Sequence, residues 1–215
     1  MEMNIYTKKA NKTKFDTIIK NLEKRYMDGF YCETVEEACE KGLSLIKDGS
    51  LVSWGGSVTV NEIGLFSKLQ SRDLTLVDPF SPPTPEEAYD QYRKAMMTDY
   101  FLMGTNAITM DGQLVNIDGT GNRVAALILG PKEVLVFAGA NKVTEDVESA
   151  LARIRVFSSP PNAVRLQKEK TPCVLTGKCG NCLLPETMCR HTVITRACKP
   201  PGRLKVFLIN EDLGY

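Results

Sequence analysis

The 215-residue chain has one histidine, His191, and one tryptophan, Trp54. A Ser–His–Asp triad in the body of the chain is therefore excluded, since His191 falls among the late cysteines. No apolar run approaches the ~20 residues that a membrane helix needs. The first thirty residues carry charges throughout and offer no apolar stretch of the secretory kind. A cytoplasmic protein without a membrane partner is expected. No charge of either sign dominates: 27 basic and 26 acidic side chains leave +1. That balance argues against a general polyanion binder, so no nucleic-acid partner is expected.

The balance is uneven along the chain. Arg165, Lys168, Lys170, Lys178, Arg190, Arg196, Lys199, Arg203 and Lys205 face only Glu169 and Glu186 between positions 165 and 205. Five of the seven cysteines fall in the same stretch, from Cys173 to Cys198. Structural disulfides are uncommon in a reducing compartment, so these five need another explanation. Cys32 and Cys39 sit in an amphipathic stretch and read as small buried apolar residues.

Apolar spacing places Phe15, Ile18, Ile19, Leu22 and Tyr26 on one face of a helix over Lys14–Met27. Thr34 followed by Glu37 is a capping box opening a helix to about Lys47. Leu51–Ser53 reads as a strand that runs through Gly55-Gly56-Ser57 into a helix bearing Val60, Ile63 and Phe66. A strand over Leu74–Val77 ends at Asp78-Pro79. Thr84-Pro85-Glu86-Glu87 starts a helix to about Asp99. Tyr100–Met103 is strand-like, and Ala107–Met110 and Gln113–Ile117 flank the hairpin signal Asp111-Gly112. A helix from Asn122 to about Leu129, a strand over Glu133–Phe137 and a helix capped by Thr144 follow, the last stopped near Phe157 by Ser158-Ser159-Pro160-Pro161. Leu204–Ile209 is a closing strand. Alternating strands and helices predict an α/β fold: a mostly parallel sheet covered on both faces, with an added hairpin. Residues 1–165 are expected to form the core and 166–215 a cysteine-rich segment with the closing strand.

Two glycine loops are candidates for binding a small anion. Gly55-Gly56-Ser57 leads from a strand to a helix, where backbone amides gather and a carboxylate or phosphate can approach closely. A plain tight turn explains the same residues. Gly104-Thr105-Asn106, then Asp118-Gly119-Thr120-Gly121-Asn122-Arg123, repeats the arrangement. Asp118 reads equally as a helix cap. Candidate acid–base groups are Glu62 and Asp118; Asp111 reads as turn chemistry, Asp78 lies at a strand end, and no nucleophile stands out.

The third constellation is Cys173-x5-Cys179-x2-Cys182-x6-Cys189, with Cys198 as an alternative ligand. A Cys-x2-Cys pair on a loop brings two thiolates to one metal, and two further cysteines complete a tetrahedral set for zinc or an iron–sulfur cluster. The spacing fits neither common ferredoxin pattern. Reduced, unliganded thiols are the plainer alternative, and His191 reads as a surface residue or an added zinc ligand.

The run from Gly104 to Asn141, GTNAITMDGQLVNIDGTGNRVAALILGPKEVLVFAGAN, resembles the core of the LUD domain of the LutC-type lactate-utilisation family, as does SWGGSVTVNEIGL from Ser53. TPCVLTGKCGNC and the closing VFLINEDLGY resemble its cysteine-bearing branch. The resemblance implies the fold of the ribose-5-phosphate isomerase and CoA-transferase superfamily. It also implies a part in oxidising L-lactate to pyruvate beside iron–sulfur partner subunits; a homo-oligomer is expected. The hairpin is similar to that of methylthioribose-1-phosphate isomerases, which place an aspartate where Asn106 stands. An amide orients a ligand but is no base near neutral pH, which weakens the alternative of a sugar-phosphate isomerase or a CoA transferase. A non-catalytic binding or regulatory module is the other alternative.

Overall fold

The structure, a computed structural model, describes residues 3–215. The first half holds α1 (Ile5–Lys24), β1 (Asp28–Cys32), α2 (Val35–Leu45), β2 (Leu51–Trp54), α3 (Val58–Glu62), α4 (Leu65–Leu69), β3 (Thr75–Val77), α5 (Pro85–Ala95) and β4 (Tyr100–Gly104). Then come the hairpin β5 (Ala107–Thr109) and β6 (Leu114–Asp118), α6 (Asn122–Ile128), β7 (Glu133–Gly139), β8 (Val143–Thr144) and α7 (Val147–Arg153). α8 (Ser159–Arg165), α9 (Pro172–Thr176), β9 (His191–Thr195) and β10 (Leu204–Ile209) complete the order.

Six strands form one sheet in the order β1-β10-β7-β4-β2-β3, every pair parallel. The fold is the expected α/β arrangement. Because successive side chains on a strand point to opposite faces, each buried strand feeds two cores. Phe101, Met103, Val134, Val136, Val206 and Leu208 pack with Phe15, Ile18 and Leu22 of α1 and with Ala126 and Leu127 of α6. Leu102, Leu135, Phe137, Phe207 and Ile209 meet Ala38 and Cys39 of α2 and Leu65 and Leu69 of α4 on the other face. Phe207 lies stacked between Phe30 (4.9 Å) and Phe137 (4.6 Å). Cys32 and Cys39 are buried here as expected, and burial pushes the Cys32 thiol up to about 11.

A second sheet, in the order β8-β5-β6-β9, carries the predicted hairpin. Its apolar side, Ala107 and Val115, packs on Ala150 and Ile154. Asp111 completes the turn, accepting from Arg25 at 2.6 Å and from the Thr109 hydroxyl. β10 lies inside the main sheet and β9 pairs with β6, so residues beyond 165 share both sheets with residues before it.

Several boundaries differ from the sequence expectation. α1 ends at Lys24 and Tyr26 adopts φ 60°, reversing the chain into β1; Tyr26 is consequently exposed instead of lying on the apolar face. The helix expected after Ser57 breaks at Gly64, whose φ of 71° caps α4. α5 ends at Ala95, short of Asp99, whose side chain accepts from Leu51 N and Lys132. Thr144 belongs to β8, and Asp146 caps α7 through Ser149 N. The two prolines do not end that helix. The chain passes through a π turn at Ile154–Ser158, and Pro160 and Pro161 occupy the first turn of α8, where their missing N–H groups cost nothing. β1, β8 and β9 were not legible: β8 has two residues, and β1 and β9 lack a clean alternation.

Candidate functional site

The carboxyl ends of three neighbouring strands, β2, β4 and β7, open into one cavity of about 810 Å³. This is where ligands gather in parallel sheets. The lining includes Gly56 and Ser57 after β2, Gly104, Thr105 and Asn106 after β4, and Lys142 after β7. The loop from Asp118 to Arg123 forms another wall, with Gly119, Thr120 and Asn122 among the lining residues. Gly55 lies behind it, its N–H bonded to Leu102 O and its Cα against the Arg123 side chain. Ser57 caps α3 through Val60 N. A β-carbon on Gly104 would stand 2.7 Å from Ser57 Oγ and 3.7 Å from Lys142 Nζ, so the two side-chain heads converge over a bare Cα.

Arg123 holds the loops together. Its Nε donates to Asp118 Oδ2 (3.0 Å), one terminal nitrogen to Gly104 O and Asn116 Oδ1, and the other to Asn106 Oδ1 and Ile117 O. All five guanidinium N–H groups are thereby used within the protein. Asp118 is similarly engaged, its other oxygen accepting from Gly121 N at 2.7 Å. Gly121 takes φ 92° to begin α6. Asn116 is fully buried and its Oδ1 also accepts from Thr105 Oγ1 and Asn106 N. Asn106 Oδ1 accepts from Ile117 N as well, so its carbonyl side is committed to the frame. Glu62 is exposed and accepts from Gly214 N at 2.7 Å, pinning the end of the chain beside the cavity.

α3 has five residues and α6 seven, so neither helix offers a long dipole. Positive charge comes instead from side chains: Arg165, Lys168 and Arg190 line the cavity, and so does the buried Lys142. It is 4% exposed, and among the described residues its Nζ has one hydrogen-bond partner, Thr59 Oγ1 at 2.6 Å. Burial, with Arg153 and Arg123 nearby, lowers its pKa from 10.5 to about 7. Arg153 is locked onto Asn141 O, Asn106 O and Ser158 Oγ.

The cysteine segment forms the opposite wall. β9 pairs with β6 so that His191 stands opposite Asp118, and Arg190 N donates to Asp118 O. That register carries Met188, Cys189 and Arg190 to the cavity, with Met188 O 3.2 Å from where a Gly119 β-carbon would be. Cys189 Sγ lies 3.5 Å from Ser159 Oγ, at the end of the π turn. Its thiol pKa is raised, chiefly by burial and also by Cys179, Cys173 and Cys182. Thr187 Oγ1 joins two of them, 3.6 Å from Cys182 Sγ and 3.4 Å from Cys189 N. Gly180 presses on Pro172, where a β-carbon would clash at 2.8 Å, and Asn181 turns with φ 47°. This sets the Cys179-x2-Cys182 turn against the start of α9, which carries Cys173. Among the described residues, no three His, Cys, Asp or Glu side chains are grouped closely enough to hold a metal ion. By residue type the four cysteines suit a thiophilic metal, though their sulfurs are not grouped around one point. Cys198 lies apart, buried in the core with its thiol on Pro200 O.

The sequence matches the family model of the LUD domain over residues 15–209. The chain belongs to the LUD-domain family. No curated protein matches it. A DUF162 family protein from Deinococcus radiodurans, a solved structure, is similar with a TM-score of 0.50 at 13% identity, over 94% of this chain and 98% of that one. At that identity the likeness speaks for the fold alone.

Within this LUD domain, sequence reasoning missed Lys142 and Asn116. Each left a signal. Asn116 interrupts the apolar run Leu114-Val115-Asn116-Ile117, and a polar residue inside a buried strand needs partners. Lys142 follows the carboxyl end of β7, the same topological place as the two glycine loops. No helix among the described residues is long and apolar enough to cross a membrane.

Proposed function

We propose that this LUD-domain protein is a component of L-lactate utilisation. In this reading a small carboxylate occupies the cavity between the glycine loops and the cysteine segment. The observation that carries it is the shared cavity: Gly56, Ser57, Gly104, Lys142 and Cys189 line one space. A small anion fits there because the carboxylates that line it, Asp118 and Glu186, are already engaged by Arg123 and Gly121 N and by Lys170, while the Lys142 amine retains unused donor positions.

Cys173, Cys179, Cys182 and Cys189 are the residues that would hold an iron–sulfur cluster or zinc. An iron–sulfur cluster supplies one-electron transfer to a bound partner subunit, whereas zinc only clips the loops. The chain's own contribution is to seat the anion: the Arg123 frame fixes the two loops, and Lys142 supplies buried positive charge. Asn106, an amide, orients without exchanging protons.

Anaerobic purification and reconstitution with iron and sulfide test the cysteine site. Brown protein with iron and sulfide, lost in Cys182→Ser, supports electron transfer. A colourless protein with one zinc supports a structural clip, and protein that takes up neither contradicts the metal reading. Thermal shifts with L-lactate, pyruvate and ribose 5-phosphate test the ligand, since only one that binds the folded state raises its stability. A shift with ribose 5-phosphate alone would favour the isomerase alternative.

A further inference from the structure

Lys142 has the properties of a charge device. It ends a short 3-10 turn after β7, and charged groups from the elements packed against it bear on its amine. Arg123 on α6 and Arg153 on α7 make it harder to protonate, and Glu62 on α3 makes it easier. Asp212 bears on Arg153 from the chain's last segment. Arg123 spends all its N–H donors on the frame, and Arg153 spends Nε and one terminal nitrogen on Asn141 O, Asn106 O and Ser158 Oγ. Glu62 is held by Gly214 N. The Lys142 amine has one hydroxyl partner, that of Thr59. A β-carbon on Gly214 would come within 3.4 Å of Nζ, and one on Gly104 within 3.7 Å, so two glycines leave room beside the amine.

We propose that Lys142 anchors a small oxyanion, a carboxylate or a phosphoryl group, and that the anion enters together with one proton taken up by the Nζ amine. The step is R–NH2 plus the anion plus the buffer acid BH+, giving R–NH3+ paired with the anion and free B, with no bond to carbon formed. The inference rests on the anion-binding reading above and names its anchoring residue. A buried ammonium without a counter-charge is disfavoured, and an anion within about 4–6 Å reverses that preference. The two events are therefore linked. Neutral analogues, such as the amide of lactate, lack the charge and are rejected.

Calorimetry on the full chain at pH about 8, in two buffers of different ionisation enthalpy, measures the protons exchanged. L-lactate and inorganic phosphate serve as separate probes. At least one of them is expected to bind with close to one proton taken up. Its affinity falls by up to about tenfold per pH unit above that point, as linkage to a single group requires. Lys142→Gln is expected to weaken binding by about tenfold or more and to abolish the uptake. Lys12→Gln, which removes an exposed lysine of α1 outside the cavity lining, retains both.

Binding without proton uptake, unchanged in Lys142→Gln, overturns the role of Lys142 and leaves the anion reading intact. Uptake with phosphate alone keeps Lys142 and overturns the lactate assignment. No binding of either probe to folded protein overturns both. Should Lys142→Gln fail to fold, the lysine side-chain NMR signal of the wild type decides. Its titration midpoint is expected to rise when phosphate or L-lactate is added, and an unmoved midpoint overturns the proposal.

Discussion

Cys32 and Cys39 lie between the sheet and α2, fully buried among leucines and phenylalanines. Cys189 lines the cavity, Cys173 sits in α9, and Cys179 and Cys182 follow on the loop after it, none of the four fully buried. In the first pair, burial raises both thiols above their ordinary range, keeping them neutral and inert. In the second set the thiols stay partly or largely exposed. The residue type is the same and the surroundings differ: sealed apolar packing in one region, a solvent-accessible segment in the other.

The sharpest way to break that division is to damage the frame between the regions. Arg123→Met leaves the carbonyls of Gly104 and Ile117, the side-chain oxygens of Asn106 and Asn116, and the buried Asp118 without their partner. A loss of about 3 kcal/mol in urea unfolding is expected, and a loss below about 1 kcal/mol would mean that the loops hold themselves. Next in size is a pair of substitutions. Cys39→Ser buries a hydroxyl among apolar side chains and is expected to cost about 1–3 kcal/mol. Cys182→Ser, on the loop, should change the metal-free protein by no more than about 0.5 kcal/mol while removing any metal or cluster. Equal costs would erase the distinction.

Lys142 gives a pH-dependent test. Its folded pKa, about 7, lies below the ordinary 10.5, so the fold carries the cost of a buried charge fully below pH 7. That cost disappears as pH rises toward 10.5, because the unfolded chain then binds more protons than the folded one. Lys142→Met is expected to exceed the wild type in stability most at pH about 6.5 and least at about 9.5. A gap that grows with pH contradicts the buried, uncompensated amine.

The sheet was legible because its signals are local. Thr34 and Thr84 cap helices, Asp111-Gly112 turns a hairpin, and β4 and β10 are apolar runs. Both glycine loops were legible as chain turns at strand ends. What they do was not, because it depends on partners far along the chain. Arg123 reads as a free cation beside a glycine loop until the fold turns its donors onto Gly104 and Asn106. Lys142 reads as one lysine among many until burial sets it apart. The adjacency of cysteines and glycine loops hangs on β9 pairing with β6, a long-range contact made by a strand with no clear pattern. Cys198 shows the reverse case: close in sequence to the other four, it is carried into the core by the return to β10.

The central claim is that the glycine loops, Lys142 and the cysteine segment enclose a single oxyanion site. Amide NMR of the full chain during titration with L-lactate tests it most directly. Saturable shifts are expected together at Gly104–Asn106, at Gly119–Arg123, at Lys142 and at Met188–Arg190. Shifts confined to one wall, or absent at saturating L-lactate, would contradict it.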